Sequence, residues 1–142
     1  MAITRNEIYT RIVNAVKSEY PTVYYSAQLE PIPSAFPAVY ARMIGASVTQ
    51  DNETLAFDSE IYRASWEVQI FSNKENDAGQ EAYSIAKVVQ SCMQSMGFLL
   101  DMLEPIDNID PTVFRIIGRW HREVGYVGDS LPTAPEPEPD TP

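Results

Sequence analysis

Ser59-Glu-Ile-Tyr-Arg-Ala-Ser-Trp-Glu-Val-Gln-Ile-Phe71 alternates with a period of two. Tyr62, Ala64, Trp66, Val68 and Ile70 fall in one phase, and Arg63, Ser65, Glu67 and Gln69 fall in the other. Successive side chains of a strand point to opposite faces, so this pattern predicts one long strand with a dry face and a wet one. Trp66, in the middle of the dry phase, should bring the largest single area to the core. Such a strand needs neighbours along both edges and a cover over its apolar face. The rest of the chain must supply them.

Upstream, Thr4-Arg5-Asn6-Glu7 has the spacing of a capping box, with Ile3 and Ile8 at the staple positions. Ile8, Ile12 and Val16, flanked by Tyr9 and Val13, make one face of a helix over Thr4 to Glu19, which Pro21 stops. Val23 to Gln28 reads as a short edge strand. Pro31, Pro33 and Pro37 then keep the chain extended and outside any sheet. Ala38 to Ile44 reads as a strand that can continue past Gly45, as a bend, into Ala46–Thr49. A long polar loop from about Gly45 to Asp58 leads to the central strand, and loops of that length in a small domain are often sites of interaction.

Downstream, Ser72 to Asp77 is a polar junction rich in candidate N-caps. Ala78, Ala82, Ile85, Val89, Cys92 and Met96, widened by Ala86 and Met93, predict a second helix. Gly97 is placed for a left-handed C-terminal cap, with Phe98 closing over it. Phe98 to Leu103 predicts a further strand, Glu104 to Pro111 a turn-rich connection, and Val113 to Val124 the last strand. In that strand Phe114, Ile116, Gly118 and Trp120 share one face, and Arg115, Arg119 and His121 share the other. The fold expected is α+β, in the order α-β-β-β-α-β-β: a mostly antiparallel sheet of four to five strands with two helices on one face. Residues 1–128 form the single expected domain. Residues 129–142 form an acidic, proline-rich tail with little to bury.

At 142 residues the chain is long enough for one domain with a substantial core. No apolar run approaches membrane-spanning length, and Asn6 and Glu7 interrupt the block that a signal peptide would need. A single cysteine, Cys92, excludes an internal disulfide and a cysteine-based zinc site. The formal net charge is −10, which argues against sequence-specific nucleic-acid binding. Asp129, Glu136, Glu138 and Asp140 account for four of those charges, so acidity is spread over the domain as well as the tail.

Chemistry is sparse. His121 has Glu123 two residues on but reads as a solvent-facing strand histidine, and Cys92 reads as a buried, inert thiol. Asp101, Glu104, Asp107 and Asp110 lack the glycine and alternating spacing of a calcium loop. There is no Gly-rich phosphate loop, GxSxG elbow or HExxH pair. No enzyme and no cofactor are expected. Asn52-Glu53-Thr54 is a glycosylation sequon that matters only in a secreted chain. What remains is a basic strip, Arg63, Arg115 and Arg119, with His121 beside it on the polar sheet face. It is either a solvated face balanced by Glu67 and Glu123 or a surface that pairs with the acidic side of another copy.

These features together resemble the tail terminator (tail completion) proteins of long-tailed bacteriophages. They are the opening helix through Ile8, Ile12 and Val16, the approach Pro31-Ile-Pro33 to Phe36-Pro37, the strand Tyr62 to Phe71, the polar junction into a second helix, and the closing strand Phe114 to Trp120. The resemblance covers about residues 3 to 125 and is one of layout. It implies a six-fold ring in the virion neck that caps the tail tube and docks to head-completion or connector proteins, with DNA passing through its channel. It brings no catalytic residues. By position it places the interfaces on the loop, at Asp51, Asn52 and Glu53, and on the Arg63, Arg115, Arg119 strip. Two other readings compete with it: a head-closure or connector adaptor of the same neck, and a small ligand-binding α+β domain with a pocket under Trp66 and Trp120.

Overall fold

The computed structural model describes residues 5–28, 33–47, 62–107 and 112–124. Its elements are α1 (Arg5–Glu19), β1 (Tyr24–Ser26), β2 (Ala38–Ser47), β3 (Tyr62–Ser72), α2 (Ala78–Ser95), β4 (Leu99–Ile106) and β5 (Phe114–Val124). The five strands form one sheet in the order β1-β2-β3-β5-β4. Only the β1–β2 pair is parallel. This is the expected α+β order, with the strand quoted above at the centre of the sheet.

Both helices pack on one face. Ile8, Ile12 and Val16 of α1 and Ala82, Ile85, Val89 and Met93 of α2 close over Val39, Ala41, Ala64, Trp66, Val68, Ile70, Ile116 and Trp120. The helical repeat of three to four thus meets the strand repeat of two, as amphipathic elements require. α2 ends where Gly97 predicts. Phe98 N–H donates to the Met93 carbonyl at 2.9 Å and Gly97 N–H to the Gln94 carbonyl at 3.0 Å, with Gly97 at φ +87°. That double bond is a Schellman cap, and the positive φ suits glycine. At the other end of α2, the Ser72 hydroxyl bonds to Glu81 Oε1 at 2.7 Å and ties the end of β3 to the first turn of the helix.

Two strands differ in extent from the sequence reading. β1 holds three residues where Val23 to Gln28 was expected. β4 starts one residue later than predicted and runs three residues past Leu103, through Pro105. It is an edge strand, where a missing backbone donor costs no ladder bond. β2 carries on past Gly45 to Ser47, the continuation that the sequence allowed. A register shift between Met43 and Gly45 leaves Ile44 as an extra residue, and a second between Leu100 and Met102 leaves Asp101 so. Thr4 of the capping box, most of the 45–58 loop, residues 59–61 and the 129–142 tail lie outside the described residues.

Candidate functional site

The face opposite the helices departs most from expectation. Glu67 and Gln69, assigned to a wet face by alternation, are each only 4% exposed, and Phe71 is 2% exposed. Their neighbours account for this. The register places Arg42 of β2, Glu67 of β3 and Arg119 of β5 in one row across three adjacent strands. Arg42 Nη2 lies 3.1 Å from Glu67 Oε2, and Arg119 Nη2 lies 3.6 Å from Glu67 Oε1. The carboxylate side chain is 5% exposed while the two arginine side chains remain 49% and 48% exposed. Long arginine stems thus roof the acid and leave their own charged heads at the surface.

Two rows along, Arg115 Nε donates to Gln69 Oε1 at 2.9 Å, and Arg115 Nη2 shares the same acceptor. Gln69 Nε2 in turn donates to Glu67 Oε1 at 3.3 Å. The Arg115 guanidinium also lies over the Phe71 ring, 5.2 Å from its centroid. Phe71 meets Tyr40 edge-on at 5.5 Å, and Tyr40 meets Tyr24 edge-on at 6.3 Å. Ala38, Tyr40 and Phe71, flanked by Tyr24, Phe36 and Val113, form a second small core on this face. Among the described residues no helix covers it.

Of the residues in the expected strip, two are bonded within the chain. Arg115 and Arg119 share the face but are fixed by intrachain partners. Arg63 is exposed and stands opposite Glu123 in the register. Asp51, Asn52 and Glu53 lie outside the described residues. Sequence reading missed Arg42, which completes the row. Its phase with Ala38 and Tyr40 was visible, but its partner depends on the β2–β3 register.

His121 gains a partner that alternation did not supply. Its Nδ1 lies 2.6 Å from Asp101 Oδ1. An ionised carboxylate only accepts, so Nδ1 carries the proton. The extra residue in β4 is Asp101 itself, and bulges re-aim side chains in this way. A notch of about 350 Å³, lined by Arg63, Gly97, Leu99, His121, Arg122 and Glu123, lies beside this pair. A smaller space of about 290 Å³ lies between the start of α1 and Trp66, with Tyr9, Ala41, Arg42 and Met43 on its walls. Trp120 is not among its lining residues. The groove between α1 and α2 has Ala15, Val88 and Cys92 along it. Burial pushes the Cys92 thiol up to about 11, against a smaller lowering by Arg11.

Among the described residues, no group of three His, Cys, Asp or Glu side chains is arranged to hold a metal ion. No helix among them is long and apolar enough to cross a membrane. No protein-family model matches the chain, and no curated protein sequence matches it significantly.

Proposed function

We propose that this chain is a structural protein of the bacteriophage neck: a tail terminator that assembles into a six-fold ring, caps the tail tube and joins it to the head-completion proteins. The observation that supports this reading is the sheet itself. Both helices lie on one face, and the other presents a row of paired charges, Arg42, Glu67 and Arg119, across three strands. A rigid face with preset charges is suited to docking another protein surface, because little side-chain freedom is lost on contact. The order of elements agrees with the layout that the sequence resembles. In this reading the virion is the site of action, tail tube and connector proteins are the partners, and DNA passes without base-specific contacts past a protein of net charge −10.

The test is the native mass of the purified protein across a range of concentrations, alone and with tail tube protein. A six-fold species, or one that forms only with tube protein, is the expected result. Binding to the portal side alone would move the protein one layer, to a head-closure adaptor. A monomer indifferent to both would favour the ligand-binding reading, for which the space beside Trp66 is the specific observation.

A further inference from the structure

The groove between α1 and α2 has a volume of about 760 Å³. From α1 it takes Arg11, Asn14, Ala15, Ser18 and Glu19. These are positions i, i+3, i+4, i+7 and i+8, a stripe beside the one through which Ile8, Ile12 and Val16 meet the sheet. The α2 side is lined mostly by small residues, Ser91, Cys92 and Ser95, which leave room for a further helix to approach.

Arg11, Ala15 and Glu19 place a cation and an acid at equal spacing, about 6 Å along the axis, from a small residue. Such a row is complementary to itself when reversed. Run antiparallel about a two-fold axis at Ala15, it sets Arg11 against Glu19 of the second copy, Ala15 against Ala15, and Glu19 against Arg11. Helices that pack through their i±4 rows lie ridge beside ridge in this way, and an alanine at the crossing permits close approach. Glu19 stands in the last turn of α1, where the helix dipole disfavours a negative charge. Among the described residues no ion pair holds it.

The neighbouring charges do not oppose this pairing. Glu7, one turn before Arg11, is outside the groove lining, and the reversed row carries it past the end of the other α1. Lys17 lies over the Tyr25 ring instead, 5.7 Å from its centroid. Lys87 is the remaining charge in the groove, so each copy brings two cations and one acid. Two chains of net charge −10 thus meet where neither is acidic.

We propose that the α1–α2 groove is a contact between two copies of this chain, related by a two-fold axis near Ala15, with Arg11 of each copy paired to Glu19 of the other. The pairs set register and orientation more than affinity, since exposed ion pairs add little. The contact goes beyond the neck reading and does not depend on it. The helices cover the sheet face opposite the Arg42–Glu67–Arg119 row, so both surfaces can be occupied at once.

The experiment uses the full-length protein with Cys92→Ala, which removes the only native thiol, and Ala15→Cys. With helix axes about 8–10 Å apart, the two Cα atoms at the crossing are about 4–5 Å apart, within disulfide range. Mild oxidation should therefore give a disulfide-linked dimer. Arg11→Glu and Glu19→Arg, each added singly, should lower the cross-linking rate about tenfold, because the axis makes each reversal count twice. Both together exchange the charges and should restore the rate to within about twofold. The wild-type chain and the same reversals in it, followed by sedimentation over a range of concentrations, should self-associate in the same order. No cross-link in a folded Ala15→Cys protein would overturn the contact. Single reversals without effect, or a double reversal that leaves the loss in place, would do so too. A wild-type monomer at every concentration would overturn it and leave the groove to a partner of another kind. A six-fold species without the cross-link would retire the two-fold contact and leave the neck reading standing.

Discussion

Trp66 of β3 and Trp120 of β5 are cross-strand partners beneath the helices, yet their indole N–H groups are treated differently. Trp120 Nε1 donates to Gln90 Oε1 at 2.6 Å, whereas Trp66 Nε1 is buried with no hydrogen-bond partner among the described residues. Phenylalanine removes the N–H along with some area. At position 66 it relieves an unmet donor, while at position 120 it breaks a bond to α2. Trp120→Phe should therefore cost about 1–2 kcal/mol more than Trp66→Phe in urea unfolding. Trp66→Ala removes most of the packing and should cost about 3–5 kcal/mol.

Gly118 is held small by the same tryptophan. A Cβ on Gly118 would sit 2.4 Å from Trp120 Cη2, 2.6 Å from its Cζ3 and 3.0 Å from Leu103 Cδ1. Gly118→Ala should destabilise the protein by about 1–3 kcal/mol through overpacking. In a double-mutant cycle with Trp120→Leu, part of that loss should return, since the clash is with the ring. Strict additivity in thermal or urea unfolding would place the strain elsewhere.

The Arg42–Glu67–Arg119 row predicts an asymmetry. The acid is buried and both arginines are about half exposed. Removing both arginines strands a desolvated carboxylate, for which about 3–5 kcal/mol is expected. Glu67→Gln leaves the guanidiniums near water and should cost less than half as much. Equal losses for the two variants in urea unfolding would mean that Glu67 reaches solvent more freely than its neighbours allow.

Cys92 gives a prediction in pH. Burial raises its thiol from the ordinary value of 9.0 to about 11. Below pH 9 the thiol is protonated in both the folded and the unfolded chain, and its contribution to stability is fully present. Above pH 9 the unfolded chain ionises first, so that contribution falls as pH rises and is lost through about pH 11. Alkylation by iodoacetamide at pH 8 should be far slower in the native protein than in urea, because the thiolate is the nucleophile. Equal rates would show that the groove between the helices leaves the sulfur open.

Much of the architecture is legible in single residues. Ile8, Ile12 and Val16 mark α1, Gly97 marks the end of α2, and the alternation around Trp66 marks β3. The site was less legible. Arg115 and Arg119 could be assigned to a face by phase, but Arg42 and Asp101 could be given their roles only by register. The β4 bulge changes which way Asp101 points, and no local signal near Leu100 announces it.

The sequence by itself determined where helices and strands lie and which side of each is apolar, because those properties follow from repeats of 3.6 and two along the chain. The tertiary structure decided that β5 lies between β3 and β4, that β1 pairs in parallel, and that Glu67 is buried. Periodicity tells which way a side chain points. What lies over it depends on strands brought alongside from elsewhere in the chain, and here Arg42 and Arg119 arrive from 25 residues before Glu67 and from β5 to close over its carboxylate.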